Sequence, residues 1–421
     1  MGVTFLHAAD LHLDSPLTNL EPYEGAPIDQ IQEATRAAFD NLVEVALSQG
    51  VDLVLLAGDL FDGDWHDHQT GLFFVSRVAR LTDAGVEVVV ARGNHDAASR
   101  ITRTLRWSSR VHELPTDAAA TLRFERLGIA VHGQGYATPA VADDLAAAYP
   151  DPVPGWLNIG LLHTALDDAS RHPGSAPTEL QVLLDKGYDY WALGHAHRRQ
   201  VLHREPWVVY AGNLQGRRIE ESGPKGCTKV IADGGRIQSV EPVALDVLRW
   251  LEVRVDVTGL TEPSEVLEQI EAHLATAAEA SDGRLVVARV IVEGHVDWAV
   301  EVALRVNDPG FVKRVRSTQI ASTGRVWVEG VRVEAPPLID FSELAERDDP
   351  LGDLLRWMRE IDDAQAAEIL TEVQDLAEVL PPQLVRGSWL AKLGDVDVLR
   401  AKLPHIERML LPEVVGSEGD T

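Results

Sequence analysis

The sequence predicts an α/β protein, and three of its features carry that expectation. Through the first 245 residues, short apolar runs alternate with amphipathic segments. After Pro242, residues Leu251, Val253, Val255 and Val257 alternate with polar ones, the period of a half-buried strand. Beyond Ala335-Pro336-Pro337 the apolar positions recur at helical spacing. We therefore expect an α/β domain over 1–245, a small α/β module over 246–335 that caps it, and a helical C-terminal region over 336–421.

The elements follow in order. Runs at 3–8, 53–57, 86–91, 157–162 and 190–193 are continuous apolar stretches ending in polar or glycine-containing turns, the mark of strands buried on both faces. Between the first two, Ile28, Ile31, Ala34, Ala38, Leu42 and Val45 line one face of a helix, with Gly50 placed to cap its C-terminus. Runs at 122–124, 129–132, 207–210, 228–232 and 237–243 lack intervening helices and predict a second, antiparallel-rich sheet. In the module, Val266, Leu267, Ile270 and Leu274 share a helical face between strands at 251–257, 285–292 and 326–333. Leu351, Leu354, Leu355 and Met358 mark a first tail helix, 366–380 a second, and 389–411 one or two more.

Composition narrows the function. At 45% hydrophobic and 25% charged, the 421-residue chain can bury a sizeable core, which excludes fibrous and wholly disordered classes. Lys plus Arg number 38 against 66 Asp plus Glu, a net charge of −28 that argues against a nucleic-acid coat or polybasic membrane binder. A nuclease must then supply its positive charge locally. The single cysteine, Cys227, fits a reducing compartment. No basic leader precedes an apolar core, and no run of about 18 apolar residues occurs, so we expect a cytoplasmic protein without a membrane span.

Of 15 histidines, 12 lie at or before His203, and five short motifs fall directly after apolar runs. They are Asp10-Leu11-His12, Gly58-Asp59, Gly93-Asn94-His95-Asp96, His163, and Gly194-His195-Ala196-His197. Residues i and i+2 of an extended segment project to one side, so Asp10 with His12, and His195 with His197, can grip one ion. A carboxylate such as Asp59 can bridge two cations, and Asn94 offers an amide oxygen. Each motif alone is an ordinary strand-end turn. All five in sequence point to a dinuclear metal site, because strand ends of an α/β sheet form the crevice where ligands bind. The oxygen and imidazole donors, without cysteine, favour Mn²⁺ or Fe²⁺ over a closed structural zinc.

Taken together these motifs resemble the signature of the calcineurin-like metallophosphoesterases. The longer strings from Ala9 to Leu17, Ala57 to Trp65 and Ala211 to Arg217 are similar to the SbcD-type DNA double-strand-break nucleases, most closely the YhaO-like bacterial DNA repair exonucleases. The resemblance covers residues 1–245 and implies a four-layer α/β/β/α sandwich. It implies that Asp10, His12, Asp59 and His197 hold one metal, and Asp59, Asn94, His163 and His195 the other. It favours Mn²⁺, makes His95 a catalytic residue rather than a ligand, and implies a coiled-coil ATPase partner held by the C-terminal region. Two such cations, roughly 3.5–4 Å apart, generate hydroxide near neutral pH and clamp a phosphate. Less Asp10, Asp59 and a hydroxide, they leave a local charge of about +1 despite the global excess of acid.

Candidate DNA contacts follow from position. Arg100, Arg103, Arg106 and Arg110 recur at spacings of three and four after the Asn94-His95 motif and can form one basic helical face. Arg198, Arg199, Arg217 and Arg218 follow active-site loops, and Trp65, His66 and His68 sit after Asp59, where they can stack on or hydrogen-bond to a strand. The plain alternatives are a solvated helix face and rim packing. His7, within a strand, reads as a satisfied core residue, and His112, His132, His172 and His203 show no ligand spacing. The leading expectation is a metal-dependent DNA nuclease of double-strand-break repair. The alternatives are a phosphodiesterase or phosphatase of small molecules such as cyclic nucleotides, and a non-catalytic scaffold. Whether the chain forms a homodimer stays open.

Overall fold

The computed structural model describes residues 2–15, 27–62, 68–98, 108–166, 174–295, 309–322, 325–334, 345–362, 364–371 and 403. The chain divides into two compact units, one of residues 1–255, 270–291 and 312–332, the other of 256–269, 292–311 and 333–421.

In the first unit, β1 (Val3–Ala8), β2 (Leu53–Ala57), β3 (Glu87–Ala91) and β4 (Val111–Glu113) pair in parallel. A second sheet holds β5 (Ala120–Phe124), β6 (Ile129–Gly133), β7 (Leu157–His163), β8 (Tyr190–Gly194), β9 (Gln200–Arg204) and β10 (Trp207–Tyr210). Its order is β5-β6-β7-β8-β10-β9. The hairpin of β11 (Gly226–Asp233) and β12 (Arg236–Ala244) then runs antiparallel beside β1, and the first sheet becomes β12-β11-β1-β2-β3-β4.

This corrects the expected antiparallel-rich second sheet. Its central pairings, β6 with β7, β7 with β8 and β8 with β10, are parallel, and only its two edge pairings are antiparallel. The runs at 228–232 and 237–243 belong to the first sheet instead. Apolar periodicity reports which faces are buried, not which strand is the neighbour.

Burial on both faces explains the unbroken apolar runs. One cluster joins Phe5, Leu55 and Val89 of the first sheet to Val131, Ile159 and Tyr190 of the second. The alternate residues Leu6, Val54, Leu56 and Val90 pack on α1 (Ile28–Ser48) and α2 (His68–Asp83) through Phe39, Leu42, Phe74 and Val78. The outer face of the second sheet buries Trp191 and Leu193 against Tyr149 and against Leu183 of α4 (Leu180–Asp185). A five-residue α3 (Asn94–Ala98) follows β3. Helix α1 ends as Gly50 predicts, with φ +62°, Gly50 N–H donating to Leu47 O and Val51 N–H to Ala46 O.

His7 is fully buried, its Nε2–H donating to Leu193 O at 3.2 Å and its Nδ1 accepting from the Tyr190 hydroxyl at 3.0 Å. Burial pushes this imidazole down to about 3. The unfolded chain takes up the proton near pH 6.5, so the stability held above that pH falls as the pH drops from 6.5 towards 3. We expect His7→Gln to lower the melting temperature at pH 7 but to flatten its decline between pH 6.5 and 4. Parallel declines in thermal melts of the two proteins would refute this.

Beyond residue 245 lie β13 (Leu248–Asp256), α5 (Pro263–Glu279), β14 (Leu285–Glu293), α6 (Pro309–Ser322) and β15 (Val326–Glu334), with sheet order β13-β14-β15. Strands and α5 fall where periodicity puts them, whereas α6 has no amphipathic signature that predicts it. Helix α7 (Pro350–Glu360) starts at Asp349, whose side chain accepts from Gly352 N–H, and it buries Leu355 and Met358. Residues 364–371 are helical, while the expected helix over 389–411 lies, residue 403 aside, outside the described residues. No helix among the described residues is long and apolar enough to cross a membrane.

Candidate metal centre

Parallel strands end on the same edge of their sheet, and this gathers the five motifs. Asp10, Asp59 and Asn94 follow β1, β2 and β3, while His163 ends β7 and His195 and His197 follow β8. The turns are sharp: Asp10, His12, Asp59 and His195 hold φ of 50°, 43°, 51° and 105°, a region side-chain-bearing residues rarely occupy. Two glycines permit the close approach. A Cβ at Gly93 would strike the Asp59 carboxylate, and one at Gly194 the Ala57 carbonyl.

Ligand atoms converge in three groups, each within 4.8 Å: Asp10, His12 and His197; Asp10, Asp59 and His163; and His12, Asp62 and His95. Asp10, His12, Asp59 and His163 are buried to within 2% exposure. The Asp10 carboxylate accepts from His195 N–H at 3.0 and 3.1 Å, and Asp59 Oδ1 from His95 N–H at 3.0 Å. The rings of His163 and His195 meet edge to face at 5.3 Å.

The donor set fits divalent cations. His163 Nδ1–H donates to Ala57 O at 2.9 Å, so the neutral ring turns the Nε2 lone pair towards Asn94 Oδ1 at 3.0 Å and Asp59 Oδ2 at 3.4 Å. In that neutral form three acceptors would face one another with no donor among them, an arrangement that a cation, or a proton on Nε2, satisfies. The second pair behaves alike: His12 Nε2 and His197 Nε2 lie 3.2 Å apart, and the other nitrogen of each ring faces a carboxylate, Asp62 or Glu221. Burial opposes charge on His163, yet the charge and hydrogen bond of Asp59, reinforced by Asp10, push it up to about 9, so without a cation the ring holds a proton on Nε2, whose place a cation would take. For Asp59 burial works upward, but His163, His12 and His95 hold the carboxyl well below its usual range. The pocket therefore calls for positive charge.

His95 belongs to the third of these groups, with His12 and Asp62. Its side chain is 41% exposed, Nδ1 meets Asp62 Oδ1 at 2.7 Å, and that contact raises its proton affinity. Asp62 is in turn held well below the usual carboxylate range by the imidazoles of His12 and His95. A cavity of about 740 Å³ opens here, lined by Asp59, Asn94, His95, His195, His197, Arg198 and Arg218 among others. Arg198 is exposed on its wall. Arg217 is drawn inward, donating to Glu221 at 3.0 Å and Ser15 at 3.1 Å. Trp65, His66, Arg100, Arg103 and Arg106 lie outside the described residues.

Three residues here carry no signal of spacing in the sequence. Asp96 is fully buried and accepts from the N–H groups of Leu60, Phe61 and Gly93 at 2.9–3.1 Å, tying the Asp59 turn to the Asn94 turn. Asp62 sits three residues after Asp59 inside the quoted Ala57–Trp65 string. Glu221 is 24 residues from His197. Outside the centre, His112 pairs with Glu87, His132 bonds Thr121 and Asn158, and His203 donates to Pro206 O.

Residues 3–199 match the family model of calcineurin-like phosphoesterases, and residues 250–335 match that of the middle domain of the metallophosphoesterase YhaO. The chain is 32% identical over 330 residues to the uncharacterized metallophosphoesterase YhaO of Bacillus subtilis, covering 77% of this chain and 80% of that protein. It is 27% identical over 309 residues to the DNA double-strand break repair protein Mre11 of Methanopyrus kandleri, 66% of this chain and 64% of that one. To the Mre11 protein of Sulfurisphaera tokodaii it is 25% identical over 280 residues, 63% of this chain and 68% of that one.

Proposed function

Because the chain belongs to the calcineurin-like metallophosphoesterases, hydrolases of phosphoester bonds, we propose that it is a metal-dependent DNA nuclease acting in double-strand-break repair. The observation that carries the chemistry is the convergence of His163 Nε2, Asn94 Oδ1 and Asp59 Oδ2 beside a half-exposed His95. DNA as substrate is supported by similarity to a double-strand break repair protein over 66% of this chain, more than the N-terminal part alone.

In this reading Asp10, His12, Asp59 and His197 hold one cation, and Asp59, Asn94, His163 and His195 the other, with Mn²⁺ the metal of choice. Bound there, the ions supply an activated water and polarise the phosphate. The chain's own groups do the rest. Asp62 holds His95 by Nδ1, leaving Nε2 to deliver a proton to the leaving oxygen on the cavity side. Arg198 and Arg218 line the wall and meet neighbouring phosphates, countering the global acidity locally. The C-terminal region is the docking segment for a coiled-coil ATPase, on the module boundaries 1–245, 246–335 and 336–421.

The test separates DNA from small phosphoesters. Replacing Arg100, Arg103 and Arg106 with Ala should weaken DNA cleavage and lower the slope of log affinity against log salt by about one unit per lost phosphate contact. Hydrolysis of a small chromogenic diester, which needs only the metal centre, should barely change. No loss on either substrate would favour a small-molecule phosphodiesterase.

A further inference from the structure

Glu221 lies in a short 3₁₀ turn, Ile219–Glu221, and its carboxylate is 4% exposed. Oε1 accepts from His197 Nδ1–H at 2.8 Å and from Arg217 Nη2 at 3.0 Å. Oε2 accepts from the Arg217 backbone N–H and from Asn213 Nδ2, both at 2.8 Å. With both oxygens doubly occupied, the carboxylate has one orientation. Because it can only accept, it keeps the proton of His197 on Nδ1 and leaves the Nε2 lone pair facing His12 Nε2 at 3.2 Å.

The turn itself is held by the third sheet. Gly223 N–H donates to Trp250 O at 2.9 Å, and Trp250 Nε1–H donates to Gly216 O at 2.9 Å. Ile219 packs in one cluster with Leu248, Trp250, Val287 and Trp327. A Cβ at Gly216 would press on both Glu221 O and the Trp250 ring, so the fit is close.

We propose that Glu221 is a positioning residue of the metal centre: it sets the tautomer and ring orientation of His197, and β13 holds it in place through Trp250. The inference rests on His197 being a metal ligand. An ion pair between Glu221 and Arg217 for stability alone would not need the His197 contact, and this difference can be measured.

The experiment titrates the full-length protein with Mn²⁺ alone, following bound metal by electron paramagnetic resonance, for wild type, Glu221→Ala, Glu221→Gln and His197→Ala. Glu221→Ala should weaken one of two sites by roughly 10–100-fold, the usual effect of removing a ligand's outer partner, and leave the other unchanged. Glu221→Gln keeps the shape and one acceptor oxygen for His197 Nδ1–H but turns an NH2 towards the donors of Arg217 and Asn213, so it should melt lower than wild type while staying folded, and should weaken the same site by about tenfold. If both Glu221 variants bind Mn²⁺ like wild type while His197→Ala loses a site, the inference fails and the ligand reading stands. Should His197→Ala also leave both sites intact, the ligand reading itself falls. Equal weakening at both sites in Glu221→Gln overturns the positioning role and makes Glu221 a support of the fold.

Discussion

Asp59→Asn is expected to lose at least one bound cation and to reduce phosphodiester hydrolysis by roughly 10³-fold or more, several kcal/mol of charge stabilisation at about 1.4 kcal/mol per tenfold. Asp59 reaches both halves of the centre, as Asp10 also does, with Asp59 Oδ2 3.4 Å from His163 Nε2 and 3.9 Å from His12 Nε2. The amide of Asn keeps the shape and can still accept from His95 N–H through Oδ1, so the backbone turn should survive. What disappears is the negative charge in a buried pocket, where charge weighs most. Elemental analysis of the purified proteins, alongside hydrolysis of a chromogenic diester, decides the matter. Two ions and an unchanged rate in the variant would rule out the bridging role.

His95→Ala is expected to keep both cations and to lose roughly 10²–10⁴-fold in hydrolysis, the contribution of a positioned acid or base. Its side chain lines the cavity and makes its shortest ion contact with Asp62, at 2.7 Å, rather than with the acceptors that surround His163. The same metal analysis separates two outcomes. A variant that loses metal would make His95 a ligand, and a fully loaded variant with normal rate would place the proton donor elsewhere. The loss should be smaller for a substrate whose leaving group is already a good one, such as a nitrophenol, because it needs less help from a proton.

Much of the candidate centre is legible in the sequence. Asp10-Leu11-His12, Gly58-Asp59 and Gly194-His195-Ala196-His197 could be read because strand ends, sharp turns and ligand pairs leave local patterns of residue type. Glu221 and Asp96 could not. Glu221 meets His197 only because the chain passes through β9 and β10 and then turns back at Arg217, and nothing in Arg217–Glu221 marks a carboxylate as bound for a histidine. Asp96 looks like any acid in a first helical turn, where the dipole favours it. Its fixed role comes from three N–H groups on two separate loops, and burial with Asp59 nearby pushes its carboxyl up to about 7.

For the fold, the sequence by itself determined most of the strands and helices α1 and α5, though not α6, β4 or β9, because burial on one or both faces imposes periods of 2 and 3.6 that residue types record directly. It also determined the donor chemistry, since no fold can supply ligands that the strand ends lack. Only the tertiary structure decided which strands are neighbours. The hairpin of β11 and β12 lies along β1 although some 220 residues separate them in the chain, and β7 and β8 moved into a second, centrally parallel sheet. The physical reason is that hydrogen bonding between strands is alike for every pair. Partner choice rests on how whole apolar faces fit together, as Phe5 and Leu55 do with Ile159 and Tyr190, and that fit is a property of the packed assembly rather than of any single segment.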